Sequence, residues 1–418
     1  MSGTVHIIGA GLAGLSAAVR LSSQGRNVVV HEATAFAGGR CRSYHDAAVG
    51  MTIDNGNHLL LSGNHAALDY LRSIGAENRL IGPTKAEFSF ADLASGERWT
   101  LRFNDGRLPF WIFDPARRVP GTRVLDYLPL ARLLWAPAGK AVSEVIACEG
   151  TLYQRLVEPL LLAALNIDAP QGSARLAGAI IRETLAVGGR ACRPLIAREG
   201  LGLTLIGPAL GMLTERGATV RLEHQLRGMR FAAERVKALD FGSESVALSD
   251  GDAVVLTVPP YAAASLVPGL DVPTAFHAIV NAHFRVEPPG GQPPILGVIN
   301  GMVQWLFAFP GRLSVTISAG DRLIDSPREE LAKTIWSEVA RLTGLPPALP
   351  PWQIVRERRA TFAATPAQDA KRPGVATKWS NLVLAGDWTD TGLPATIEGA
   401  IRSGNRAADI IAEQSKQS

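Results

Sequence analysis

Apolar positions along this chain follow three rhythms, and each predicts a different kind of element. Short unbroken apolar runs bounded by turn residues read as strands buried on both faces. Residues 5–8, 27–31 and 252–260 are of this kind, the last closed by two prolines. Helical spacing predicts helices over 12–21, 65–74, 125–135, 174–186, 200–216 and 328–342. Alternation of apolar and polar residues predicts two antiparallel strands over 86–103, around the turn 94–96. Further strands are expected at 218–222, 225–229, 236–241, 278–286, 297–303 and 313–318, and residues 157–167 form a strongly apolar run. A last strand from 381 leads through a Gly-Asp turn to a helix opening near Pro394, and the polar end from 415 is expected to fray.

The first strand, turn, helix and second strand carry chemistry as well as a pattern. Between them stands Gly9-Ala10-Gly11-Leu12-Ala13-Gly14, with G-x-G-x-x-G spacing. Gly9 permits a tight strand-to-helix turn, Gly11 lets backbone approach a pyrophosphate, and Gly14 lets helix and strand pack closely. The free N–H groups and positive end of the helix dipole suit phosphate oxygens. Glu32 closes the second strand 18 residues past Gly14, where an acid can accept hydrogen bonds from an adenosine ribose; Ala33 follows it. Strand, glycines, helix, strand and acid agree, so a dinucleotide site outweighs a merely structural turn. Gly200-Leu201-Gly202 lacks a preceding strand and a third glycine at the right offset, which argues against a second such site.

Composition narrows the setting. At 418 residues, two interleaved domains are the natural expectation. An apolar content of 47% against 19% charge builds a sizeable core and suits a protein that handles something greasy. The net charge of +4 makes an anionic surface a plausible partner, whereas dispersed Arg and Lys argue against nucleic acid. Three widely spaced cysteines fit a reducing cytosol and form no metal pattern. No signal peptide or membrane span is expected. Residues 107–147 stand apart: Phe110, Trp111, Phe113 and Trp135 are interspersed with Arg117, Arg118, Arg123, Arg132 and Lys140. An amphipathic helix of a second domain and a monotopic membrane contact explain them equally well.

Gly38-Gly39-Arg40, Asp54-Asn55-Gly56-Asn57-His58 and Gly386-Asp387 followed by Pro394-Ala395-Thr396-Ile397 narrow the dinucleotide. With these, the chain resembles flavin-dependent amine oxidases and carotenoid desaturases, the phytoene-desaturase branch most. Residues 53–61, 280–284, 355–368 and 385–398 are similar to the bacterial squalene-associated FAD-dependent desaturases, read as hydroxysqualene dehydroxylases of squalene and hopanoid biosynthesis. The resemblance spans the whole chain, with no departure in the FAD fingerprint. It implies an α/β chain with a Rossmann-like FAD-binding domain (1–85, 201–260 and 371–418) interleaved with an α+β substrate domain (86–200 and 261–370). It implies FAD as cofactor, a C30 isoprenoid alcohol as substrate, an unidentified electron donor and a peripheral place on the inner face of the cytoplasmic membrane.

The resemblance also distributes roles. Asp387 meets the ribityl or pyrophosphate part of the flavin, although capping a helix would also explain it. Thr396 and Ile397 offer helix N-terminal N–H groups to the isoalloxazine. Arg40 holds phosphate or ring, or is a surface arginine. Leu226 meets the adenine through its backbone. Gly56 and Asn57 lead to His58, which reads either as the catalytic acid or as a satisfied core histidine, and Asp54 reads as structural. The rivals are a carotenoid-type desaturase and a prenyl-lipid carrier similar to Rab GDP-dissociation inhibitors.

Overall fold

The computed structural model describes residues 3–417. Five parallel strands form one sheet, in the order Thr219–Arg221, Asn27–His31, Thr4–Ile8, Ala253–Leu256 and Leu382–Leu384. The apolar runs that predicted its strands are buried because both faces are covered. Val5, Ile7, Val28, Val30, Val255 and Val383 face the helices Leu12–Ser23 and Ile397–Gln417. Ile8, Val254, Leu256, Leu382 and Leu384 face a three-stranded antiparallel sheet, Gly228–Ala232, Arg235–Asp240 and Ser245–Ala247.

A seven-stranded mixed sheet makes the second half. Its order is Trp352–Phe362, Phe276–Arg285, Arg312–Ile317, Trp305–Phe309, Ile295–Ile299, Glu87–Asp92 and Arg98–Arg102. Helix Arg328–Thr343 seals one face through Leu331, Ile335, Trp336 and Val339 against Val280, Phe284, Leu313 and Val315. The hairpin Ser43–Asp46/Met51–Asp54 joins the halves through Val49 and Ile53, which pack on Val355. Strand Pro194–Ala197 pairs with Leu60–Leu61 and Leu80–Ile81, beside the nucleotide-side elements rather than within the larger sheet.

Several expectations shift. The strand expected at 225–229 begins only at Gly228, and the one at 297–303 is Ile295–Ile299, stopped by Asn300 at φ +59°. The run 252–260 is strand only over Ala253–Leu256, and Pro260 opens a short helix. Residues 125–135 wind as a 3₁₀ segment, Val124–Trp135, with Pro129 inside it, rather than as an α-helix. Strands Trp305–Phe309 and Trp352–Phe362 were not anticipated. The closing helix continues to Gln417, past the expected fray at 415, and Ser418 lies outside the described residues.

Candidate flavin site

The nucleotide turn behaves as its glycines require. Gly9 sits at φ +110°, and its N–H donates to His31 O at 2.7 Å. A β-carbon at Gly14 would run into Gly9 O, whereas one at Gly11 would meet nothing within 4 Å. Gly14 is therefore demanded by packing, and Gly11 by whatever approaches the turn from outside. Leu12 and Ala13 are buried in the first turn of the helix. Ala10 N–H donates to Glu32 Oε2 at 2.9 Å, while Thr34 N–H and Oγ1 donate to Oε1. The acid is thus held at the strand end beside exposed Ala33, with lone pairs to spare for a ribose. His224 N–H donates to Glu32 O, which brings Leu226 alongside; the Leu226 N–H and C=O make no hydrogen bond among the described residues. These features fit the adenosine end of a dinucleotide.

Gly38 and Gly39, at φ +112° and +54°, fold the next loop back onto the turn. Gly38 N–H donates to Ala10 O at 2.8 Å, and a β-carbon at Gly39 would lie 3.5 Å from Gly11 Cα. That turn aims Arg40 across the molecule. Its Nη2 donates to both Asp387 oxygens at 2.7 Å, and its Nη1 to Ala360 O at 2.5 Å. Strand Trp352–Phe362 slips register against its neighbour between Glu357 and Thr361, and this bulge presents the Ala360 carbonyl. Asp387 holds Arg40 by both oxygens, although 43% of the arginine side chain stays accessible. Arg40 is therefore no ordinary surface arginine.

Asp387 is buried behind Gly386, which is at φ +148° and donates its N–H to Ser403 Oγ. Fully buried Arg372 braces the following turn through Asp387 O, Thr389 O and Thr391 Oγ1. Thr396 Oγ1 caps the closing helix by accepting from Gly399 N–H at 3.0 Å. The N–H groups of Ile397 and Glu398 have no partner within the helix, by helix geometry, and stay available to an anion or a carbonyl. Glu398 points elsewhere, accepting from Ala66 and Ala67 N–H at the start of helix His65–Ser73. One glycine fixes this helix in place: a β-carbon at Gly404 would strike Ala13 O and Ser16 Oγ.

His58 completes the set. Burial and the Arg40 guanidinium push its imidazole down to about 4, against a partial pull upward from Asp387. That value keeps the ring neutral at pH 7. Asp54 is structural: its Oδ1 accepts from Ser43 Oγ at 2.5 Å and Leu201 N–H at 2.8 Å. No group of three His, Cys, Asp or Glu suited to a metal occurs among the described residues.

Residues 12–412 match the profile of flavin containing amine oxidoreductases. The chain belongs to the flavin-containing amine oxidoreductase family. It is 62% identical over 98% of its length to a hydroxysqualene dehydroxylase of Rhodopseudomonas palustris, covering 99% of that protein. It is 46% identical, at the same coverage of both chains, to a hydroxysqualene dehydroxylase of Zymomonas mobilis. A probable zeta-carotene desaturase of Synechococcus elongatus is 24% identical over 98% of both chains. Among solved structures, the cyclohexylamine oxidase of Brevibacterium oxydans superposes with a TM-score of 0.72 at 18% identity over 99% of both chains, which supports the fold. As a family member the chain is a flavin-dependent oxidoreductase, and the resemblance read from its motifs holds over its full length. Motif reasoning assigned no role to Asn281, Glu357, Arg372 or Glu398, although residues 280–284 and 355–368 stood out as runs particular to the family.

Proposed function

We infer that the enzyme converts hydroxysqualene to squalene by FAD-dependent reductive dehydroxylation. The observation that carries this reading is the 62% identity, end to end, to a protein of that name. FAD, rather than a shorter flavin, is supported by Glu32 and the unpartnered Leu226 backbone at the adenosine end. Bound and reduced, FAD supplies the hydride, and with it both electrons, that replaces the departing hydroxyl. The chain supplies the rest. Arg40, locked to Asp387, and the free N–H groups at Ile397 hold and polarise the ring. A proton must reach the hydroxyl so that it leaves as water, and neutral His58 suits a relay rather than a store. Zeta-carotene desaturases match at 22–24% identity over the whole chain, or at 40% over 77 residues.

Anaerobic addition of hydroxysqualene to the dithionite-reduced enzyme tests the direction. The expected outcome is flavin reoxidation matched mole for mole by squalene. Turnover by the oxidised enzyme alone, with a new double bond in the product, would instead make it a desaturase.

We also propose that the substrate is drawn from an anionic membrane face, with the protein peripheral on the cytoplasmic side. No helix among the described residues is long and apolar enough to cross a membrane. Leu108, Phe110, Phe113, Leu125, Leu128 and Trp135 are each more than 60% exposed, and Arg107, Arg123, Arg132 and Lys140 are exposed among them. The expectation for Trp111 is corrected: it is buried, edge-on to Phe103 and Tyr127.

A further inference from the structure

The loop that carries His58 is held from the seven-stranded sheet rather than from the nucleotide-binding one. On strand Phe276–Arg285, Ala278, Val280, Ala282 and Phe284 enter the apolar cluster under helix Arg328–Thr343. Asn281 therefore points to the opposite face, and it is 2% exposed. A buried amide in the middle of an apolar strand is costly unless its hydrogen bonds are made. Here they are made to the 55–57 loop. Asn281 Oδ1 accepts from Thr316 Oγ1 at 2.8 Å, and at longer range from Asn57 N–H at 3.4 Å and Asn57 Nδ2 at 3.5 Å. Its Nδ2 donates to Asn55 O at 3.5 Å. Thr316, opposite Asn281 in the ladder, accepts from Asn57 Nδ2 at 3.1 Å. A second clamp joins Asn55 Nδ2 to Glu357 Oε2 at 3.2 Å.

Gly56 shows how close this clamp lies to the imidazole. A β-carbon placed there would be 3.3 Å from Asn281 Nδ2 and 3.8 Å from His58 Nε2. We propose that Asn281, seated on Thr316, is a positioning residue that fixes His58 at the reacting centre by gripping the backbone of residues 55–57 from the seven-stranded sheet. That sheet thus sets where the imidazole stands. Its value for catalysis rests on the role given to His58 above, and the grip itself can be tested separately.

Asn281→Leu keeps the branched shape at a larger volume and removes every side-chain hydrogen bond. Asn281→Asp keeps the Oδ1 acceptor but replaces the donor with a second acceptor oxygen that carries charge when ionised. In the flavin-loaded enzyme, Asn281→Leu is expected to lower kcat about tenfold or more while KM stays within about threefold, since a displacement of about 1 Å can cost about a hundredfold. Asn281→Asp, which keeps the acceptor for Thr316 and Asn57, should recover part of that loss. The independent readout is the ¹⁵N-histidine NMR titration, with the His58 signal assigned by its absence in His58→Asn. Its midpoint should move upward in Asn281→Leu as the ring gains solvent. If Asn281→Leu folds poorly, Thr316→Val should shift the same signal in the same direction by less. An unmoved His58 signal in both variants overturns the positioning role. A moved signal with full activity supports the grip and instead overturns the catalytic reading of His58.

Discussion

The inner strands of the parallel sheet bury most of their side chains and leave backbone donors accessible at their ends, while residues 108–135 turn several large apolar side chains outward. In the parallel sheet, Val5, Ile7, Val28 and Val30 are at most 1% exposed, and what faces outward at Gly11 is bare backbone. In the other region, Trp135 is 79% and Leu125 71% exposed, on a 3₁₀ segment anchored to the core by buried Tyr127 and Leu133. Burying one such side chain contributes about 1.5–3 kcal/mol, so six left in water amount to a substantial unmet driving force. The contrast separates two kinds of ligand. A polar dinucleotide needs rigid backbone and absent side chains. A lipid surface needs side chains presented outward, and demands little of the backbone beneath.

The comparison breaks most visibly at its glycines. Gly404→Val should force the closing helix away from Ala13 and Ser16, at a cost of about 3 kcal/mol, with a fall in Tm and loss of flavin together. Gly11→Val should leave the Tm of the flavin-free protein unchanged, because nothing lies within 4 Å of the new β-carbon, yet yield colourless protein. Full flavin content in a folded Gly11→Val protein would show the turn to be no more than a packing device.

Two buried histidines sharpen the comparison through pH. His31 ends a strand of the parallel sheet, with its ring between His6 and His224 at 3.1 and 2.9 Å and with Phe241, Arg221 and Glu244 nearby. His283 sits in the mixed sheet on Ser314 Oγ, beside Arg312. Burial above all pushes both down to about 3. The folded state therefore refuses a proton that the unfolded chain accepts below its ordinary 6.5. Stability is flat from this source above pH 6.5 and falls as pH drops from there towards 3. The slope approaches about 1.4 kcal/mol per pH unit for each histidine. Urea titrations from pH 8 to pH 5 should show this decline, and His283→Asn should flatten it in part. An unchanged slope in that variant would mean that the mixed sheet is not acid-labile at this point.

The two halves were unequally legible in the sequence. The nucleotide half announced itself because its constraints are local: unbroken apolar runs, glycines at fixed offsets, an acid at a strand end. Strand Trp352–Phe362 escaped notice because Arg356, Glu357, Arg358 and Arg359 mask its period, and the bulge that aims Ala360 at Arg40 breaks alternation. Trp305–Phe309, almost wholly buried, shows no alternation at all. The same limit governed the site. Gly11, Glu32, Arg40 and Asp387 were readable from neighbouring residues. Asn281 and Glu357 act on Asn55 across separations of 226 and 302 positions, which no short motif encodes.

The smallest effect on the fold should come from the largest side chains on the surface. Phe110 and Trp135 are 63% and 79% exposed, so replacing both with serine removes few packing contacts. Tm should move by about 1 °C or less, as for other exposed substitutions. Trp111, although next in sequence, is excluded from this test because its buried ring would be missed by the core. At a membrane the ranking reverses. Each arginine near an anionic surface adds about 1 kcal/mol, and the aromatic rings add the apolar term that salt cannot screen. Wild type should co-sediment with phosphatidylglycerol-containing liposomes more weakly as salt rises, and Phe110→Ser/Trp135→Ser should lose the salt-resistant part of that binding and remain largely in solution at high salt. Turnover of detergent-dispersed substrate should survive in the double variant, while turnover of liposome-embedded substrate falls. Equal partitioning of variant and wild type would leave these six exposed side chains without a lipid role, and the comparison between the two regions would lose its second half.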